Sequence, residues 1–286
     1  MDQASYVDID RRHGTSGDAI RVPSSRRRGI LKKTVLMVMV PVLLLAVLVV
    51  ALQRRILFPL TDAVASTPAR GWTSSSTGEG LHAWTSAWVP GRRTALMLHG
   101  NAVTLGAMAF VADAWVRDGW NVVLVEFPGY DGNAGSPGAK SISAAAESAW
   151  AWALAHGSRR ERVVVVSNSI GTGAAAALTG SRDPAGLLVV SGVDDLASVL
   201  RNQVPFVPPF LVFDRMRSAD AIRSYGGWTK VWHARDDMIV PASQGRAIAQ
   251  AAGTAVTWRT GGHQLFWDPD LQTELRTEAD RIVPRP

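Results

Sequence analysis

The sequence predicts an α/β fold, a mostly parallel sheet with helices on both faces, preceded by one membrane-spanning helix. Three observations carry this. Short β-branched or apolar runs alternate with Ala-rich stretches of helical length. The runs are apolar throughout, as strands covered on both faces require. Near the N-terminus, Thr34 to Gln53 is a stretch of 20 residues without a charge.

That uncharged stretch is dominated by Val, Leu and Met, and at 1.5 Å per residue it spans the roughly 30 Å hydrocarbon core of a bilayer. A buried core helix is normally shorter. Pro41 is tolerated in such a helix. Basic residues crowd its N-terminal flank, whereas the other flank offers Arg54 and Arg55. The positive-inside rule therefore leaves residues 1–33 as a basic cytoplasmic tail and the bulk of the chain extracytoplasmic. A cleaved signal peptide would have a shorter apolar region with a small-residue site close behind, but Ala63-Val64-Ala65 lies well past the run, so 34–53 reads as an uncleaved anchor.

Composition narrows the function classes. A chain of 286 residues, 47% hydrophobic and 19% charged, can bury a full core and is too apolar to be disordered. The formal charge of +6 is concentrated: residues 1–33 hold eight Lys/Arg against four Asp, which is four of the six excess charges. The remainder has no basic stripe with interleaved aromatics, which argues against a nucleic-acid partner. With no Cys, a disulfide framework, a thiolate metal site and a lipidated Cys are all excluded.

Residues 54–80 are expected as a linker, since Thr61 to Gly80 is rich in Thr, Ser, Gly, Pro and Ala. The folded domain is expected over 81–286. Its strands are Leu81 to Trp88, Thr94–Leu98, Asn121–Phe127, Arg162–Val166, Gly186–Val190, Thr229–His233 and Ala255–Trp258. Helices are expected over Ala102–Asp118, Ser141–His156 and Gly171–Thr179, and a short insert over about 193–228 takes the place of a full cap domain.

The chemistry sits at the strand ends. Val163-Val164-Val165-Val166 runs into Ser167-Asn168-Ser169-Ile170-Gly171 and then an Ala-rich helix. A nucleophile elbow needs this layout, because a sharp strand-to-helix turn lifts the Ser hydroxyl above the sheet. Ser169 is then the nucleophile, with Ser167 standing where the usual motif has Gly. An ordinary Ser N-cap is the plain alternative. Downstream, Asp236-Asp237 follows a second strand and Gly261-Gly262-His263 a third. Ser, then Asp, then His is the chain order of the α/β-hydrolases. Either Asp could orient the imidazole, or both could cap the helix after Pro241. The loop after Leu96-Met97-Leu98-His99-Gly100 would supply an oxyanion donor from the backbone of Asn101 or Ala102, paired with the Ile170 N–H. His99 itself reads as a buried, hydrogen-bonded turn residue.

Two competing motifs are weaker. Gly171-Thr172-Gly173-Ala174-Ala175-Ala176, with Asp194 and Asp195 beyond, matches a dinucleotide fingerprint, but four residues separate its first Gly from the strand. A phosphate-binding loop near Lys140-Ser141 fails because Ala134 and Ala139 occupy its required glycines.

His99-Gly100-Asn101, the segment Glu126-Phe127-Pro128-Gly129-Tyr130-Asp131-Gly132-Asn133-Ala134-Gly135-Ser136-Pro137, the elbow, Asp237 with Ile239-Val240-Pro241, and Gly261-Gly262-His263 together resemble the membrane-anchored serine hydrolases of the α/β-hydrolase superfamily. That branch includes protein depalmitoylases, and the resemblance covers roughly residues 55–281. It implies an α/β-hydrolase fold and Asp237 as the triad acid. It further implies hydrolysis of a carboxylic ester or thioester through an acyl-enzyme, with no metal or organic cofactor. Phe206, Phe210 and Phe213 in the insert, with Leu265 and Phe266 after His263, are the candidate acyl-pocket residues. A catalytically silent binding module on the same fold and a dinucleotide-dependent enzyme are the alternatives.

Overall fold

The structure is a computed structural model that describes residues 24–59, 66–76, 82–205 and 208–285. Helix α1 runs over Ser24–Leu57 and contains Pro41. Its segment Lys32–Gln53, 22 residues, is long and apolar enough to cross a membrane. Side chains such as Leu36, Met37 and Leu43 are exposed, as they would be on a helix in contact with lipid. Residues Met1–Val47 and Leu48–Pro286 form two separate compact units, so the C-terminal end of α1 belongs to the second.

The second unit is built on an eight-stranded sheet: β1 (Trp72–Ser76), β2 (His82–Ser86), β3 (Thr94–Leu98), β4 (Asn121–Glu126), β5 (Val163–Asn168), β6 (Gly186–Val190), β7 (Trp228–Ala234) and β8 (Val256–Arg259). The spatial order is β1-β2-β4-β3-β5-β6-β7-β8. β1 and β2 pair antiparallel and β2 pairs antiparallel with β4, while every pairing from β4 to β8 is parallel. The helices are α2 (Leu105–Arg117), α3 (Ala139–Ala155), α4 (Gly171–Ser181), α5 (Leu196–Gln203), α6 (Ser218–Ile222), α7 (Ala242–Ala251) and α8 (Pro269–Ile282).

Alternation along the central strands splits the core into two layers. Leu96, Leu98, Val123, Val125, Val163 and Val165 face the layer that includes α3 and α4. Ala95, Met97, Val122, Leu124, Val164 and Val166 face the layer that includes α2 and α8. Each fully buried Val or Leu contributes roughly 1.5–3 kcal/mol, so strands apolar at every position are what a sheet covered on both faces needs.

Two local features differ from expectation, and one expectation falls outside the described residues. The stretch expected as linker contains β1, an edge strand written in Ser and Thr. Its one buried side chain, Trp72, donates to Asp113 Oδ1 at 2.9 Å, and apolar periodicity gives no warning of such a strand. Helix α2 starts at Leu105 rather than Ala102, because Ala102 sits at φ 54 and Thr104 caps the helix by accepting from the Ala107 N–H. Leu81, expected in β2, lies outside the described residues.

Candidate active site

In open α/β sheets, ligands bind outside the carboxyl ends of the strands, and the candidate residues converge there. Ser169 lies between the end of β5 and the start of α4, at φ 52. A non-glycine residue in this left-handed region is held there by its surroundings. Here the Ser169 N–H donates to the Val190 carbonyl at 3.0 Å, and its own carbonyl accepts from Thr172 N at 3.1 Å and Val193 N at 3.3 Å.

The elbow is tight. A β-carbon on Gly171 would lie 2.5 Å from the Leu98 carbonyl oxygen, so only glycine lets α4 start this close to β3. At Ser167 the extra carbon is accommodated instead: the side chain is buried, with Oγ 3.4 Å from both Thr172 Oγ1 and the Leu188 carbonyl oxygen. Ser167 thus points into the protein, and Ser169 Oγ faces His263.

His263 is carried by the turn after β8. Gly261 and Gly262 both adopt positive φ, 118 and 61, which glycine permits at no steric cost. The ring bridges the other two residues: Nδ1 is 2.9 Å from Asp237 Oδ2 and Nε2 is 3.1 Å from Ser169 Oγ. A carboxylate oxygen can only accept, so Nδ1 carries the proton and Nε2 is left as the acceptor for the serine O–H.

The two neighbouring acids separate. Asp237 is buried and its Oδ1 accepts from the Ile239 and Val240 N–H groups at 2.9 and 2.8 Å. Burial, the largest single influence, pushes its carboxyl up. The His263 hydrogen bond and charge, with the two N–H bonds, outweigh it and hold Asp237 below the ordinary carboxylate range. Asp236 is solvent-exposed and instead accepts from the N–H groups of Gly262 and Gly261 at 3.2 and 3.3 Å, bonds that lower its carboxyl. One acid holds the imidazole and the other braces the turn that delivers it.

Sequence reasoning missed His233. It is fully buried on β7, its Nε2 donates to the Val240 carbonyl at 3.0 Å, and that nitrogen lies 3.8 Å from Asp237 Oδ2. Burial lowers its pKa, against the opposing pull of the Val240 bond and Asp237. A neutral ring therefore buttresses the loop holding Asp237. The four-residue spacing to Asp237 was the available signal.

At the other side of Ser169, among the described residues, no backbone carbonyl accepts from the N–H groups of Asn101, Ala102 or Ile170. They are the expected oxyanion donors. Beneath this loop His99 is buried, with Nδ1 donating to the Gly100 carbonyl at 2.7 Å and Nε2 3.0 Å from Glu126 Oε1. Both ring nitrogens are engaged within the protein.

A cavity of about 240 Å³ opens beside Ser169 and His263. Its apolar wall comes from Leu57, Leu196, Val199, Leu200 and Ile239. The insert therefore does reach the cavity, through α5 and, among the described residues, not through Phe210 or Phe213. Phe206 lies outside the described residues. Phe210 is 73% exposed, and Phe213 lines a different cavity, about 640 Å³, beside the start of α3. That larger cavity includes none of Ser169, Asp237 and His263. Leu265 and Phe266 are buried in the core layer shared with α2 and α8. The 3₁₀ turn Gly262–Trp267 carries them under the sheet just after His263, which removes them from the pocket.

The glycines of the dinucleotide-like motif are used for packing. Gly171 meets the end of β3, and a β-carbon on Gly173 would lie 2.6 Å from the Met216 sulfur. Asp195 caps α5 and Asp194 accepts from the Ala219 N–H, so neither is aimed at a ribose. Among the described residues no cluster of three His, Asp or Glu is arranged to hold a metal.

Strand order, elbow and strand-end loops define the class: the chain has the α/β-hydrolase fold. The Pyrococcus furiosus esterase Pf2001 superimposes with a TM-score of 0.64 at 14% identity, covering 78% of this chain and 95% of the esterase. The thioesterase domain from the curacin biosynthetic pathway superimposes with a TM-score of 0.54 at 15% identity, covering 74% of this chain and 99% of that domain. In sequence, the chain is similar to alpha/beta hydrolase domain-containing protein 17C of Xenopus tropicalis, 31% identical over 180 residues, 61% of this chain and 57% of the relative. It is also similar to alpha/beta hydrolase domain-containing protein 17B of Homo sapiens, 30% identical over 157 residues, 54% of each chain. The chain thus spans about half the length of these curated relatives. No family model matches it.

Proposed function

We propose that the protein is a membrane-anchored serine hydrolase that cleaves carboxylic esters or thioesters through an acyl-enzyme. The observation that carries this is the His263 ring, within hydrogen-bonding distance of Ser169 Oγ on one nitrogen and buried Asp237 on the other, at the wall of an apolar cavity. His263 takes the Ser169 proton as Oγ attacks the carbonyl carbon, and Asp237 keeps the ring in the required tautomer and stabilises the imidazolium that forms. The N–H groups of Ile170 and of Asn101 or Ala102 receive the developing oxyanion. His263 then returns the proton to the departing alcohol or thiol, and a water activated by the same ring releases the acid.

Binding of the acyl group would be apolar, against α5 and Leu57. At about 240 Å³ the cavity lies below the roughly 300–1,000 Å³ usual for drug-sized ligands, which favours a short acyl group or the first carbons of a longer one. The proposed topology leaves the N-terminus cytoplasmic and the hydrolase unit extracytoplasmic. In spheroplasts, external protease should then degrade residues 60–286 and spare the first 30; a protected hydrolase unit would reverse the orientation. For the chemistry, turnover of acetyl and longer-chain p-nitrophenyl esters should be lost in Ser169→Ala. Undiminished turnover in that variant would remove the serine mechanism.

A further inference from the structure

The last carbonyls of an α-helix have no donor within the helix and must be satisfied from outside. Helix α1 ends at Leu57, and the Leu57 carbonyl accepts from the Asn101 side-chain Nδ2 at 2.8 Å. The other end of that amide is also engaged: Asn101 Oδ1 accepts from the Tyr130 hydroxyl at 2.5 Å. Burial pushes the Tyr130 phenol up, so it stays protonated and able to donate. Asn101 is clamped between two elements distant in sequence, and its backbone lies in the loop that carries the candidate oxyanion N–H groups. The next residue, Ala102, is held at φ 54, a backbone state that alanine keeps only where the surroundings impose it.

The end of α1 also touches the reaction space directly. The Leu57 side chain is 4% exposed and, with Pro59, lines the cavity that contains Ser169 and His263. One turn earlier, buried Gln53 donates to the Val50 carbonyl at 3.1 Å and its Oε1 accepts from the Phe213 N–H at 3.1 Å. The last turn of α1, within the second unit, therefore forms part of the wall of the catalytic cavity.

We propose that Asn101 is a positioning residue that locks the oxyanion loop to the C-terminal end of α1, so that the last turn of this helix is a working part of the catalytic site. This rests on the reading of Ser169 as nucleophile with oxyanion donors at Asn101 or Ala102 and Ile170. A side chain that only capped α1 would support stability. One that also fixes a donor should act on the transition state, where oxyanion charge is largest.

The test uses the full-length chain in detergent micelles. Asn101→Asp keeps the shape and the acceptor for Tyr130 but has no N–H for the Leu57 carbonyl, and Tyr130→Phe removes the opposite tether alone. Both are measured for acetyl-ester kcat and KM, for inhibition by a trifluoromethyl ketone whose serine adduct carries an oxyanion, and for Tm. The expected result for Asn101→Asp is a kcat about 10- to 100-fold lower with KM within twofold, because displacing a donor costs less than its outright removal, about 100- to 1,000-fold. The ketone should weaken by the same factor as kcat/KM, and Tyr130→Phe should follow in the same direction with a smaller effect. Unchanged kcat and ketone affinity, with or without a lower Tm, would overturn the proposal and leave Asn101 as a helix cap. If Asn101→Asp fails to fold, Tyr130→Phe decides between the same two outcomes. Ser169→Ala, run in parallel, separates the premises: hydrolysis surviving there means that the serine reading failed, whatever Asn101 does.

Discussion

Two histidine–carboxylate pairs stand at the carboxyl edge of the same sheet, and they differ in what the second ring nitrogen meets. His99 and Glu126, at the ends of β3 and β4, are both buried, and the second ring nitrogen of His99 is spent on the Gly100 carbonyl. His263 and Asp237, after β8 and β7, form an equally short contact, but the second ring nitrogen of His263 faces the Ser169 hydroxyl beside a cavity. Proximity of an imidazole to a carboxylate therefore does not define a catalytic pair. What matters is whether the remaining nitrogen meets a proton it can accept, in a place a substrate can reach.

The largest expected effect breaks the His263–Asp237 pair. Asp237→Asn should lower kcat by about 10⁴-fold by stabilising the wrong tautomer, while Asp236→Asn, which only loosens the glycine turn, should stay within about tenfold. Steady-state ester hydrolysis by both variants checks the division of labour, and equal losses would contradict it.

The equivalent change in the other pair should be felt as stability. Glu126→Gln disturbs a buried hydrogen bond under the loop that carries Asn101 and should cost about 1–3 kcal/mol, read as a lower denaturant midpoint. Labelling of Ser169 by a fluorophosphonate at a temperature where the variant is folded should persist.

How much of this was legible in the sequence depended on the range of the interaction. The elbow, the strand Thr94–Leu98 and the order Ser169, Asp237, His263 are local patterns or orderings, and β-strands apolar at every position announce a two-faced sheet. The edge strand β1 was hidden because four of its five residues are Ser or Thr and it is held by backbone pairing with β2. The cavity wall was less legible. Phe210 and Phe213 lie within the insert and Leu265 and Phe266 just after His263, but which face each shows is set by a 3₁₀ turn and by the seating of α5, which depend on packing across the whole unit. His233 escaped notice because its role depends on a neutral ring seated against Gly245, where a β-carbon would lie 2.6 Å from Nδ1.

His233 also gives a pH test. Its pKa is lowered on folding, so the stability it contributes is present above its ordinary value of 6.5 and is lost as pH falls through the folded value. As pH falls below 6.5 the free energy of unfolding should fall, with a limiting slope of about 1.4 kcal/mol per pH unit, and His233→Gln should flatten that slope. Asp237, also lowered, adds an acid loss that begins only below its ordinary value of 3.8, so the two are separable by pH range. An unchanged slope in His233→Gln would assign the loss elsewhere.

The smallest effects distinguish the two parts of the insert. Leu200→Ala, in the cavity wall, should reduce kcat/KM for butyryl over acetyl esters, because each buried methylene is worth roughly 0.8 kcal/mol. Phe210→Asp, on the exposed segment, should leave the chain-length ratio within about twofold. The reverse pattern would return the acyl path to the phenylalanines.

The central claim is that Ser169, and no other hydroxyl, is acylated. The most direct measurement is peptide mapping of the full-length protein after reaction with a fluorophosphonate, with Ser167→Ala and Ser169→Ala treated alongside. The adduct should map to Ser169 in the wild type and in Ser167→Ala and be absent in Ser169→Ala. An adduct on Ser167, or undiminished labelling of Ser169→Ala, would contradict the account.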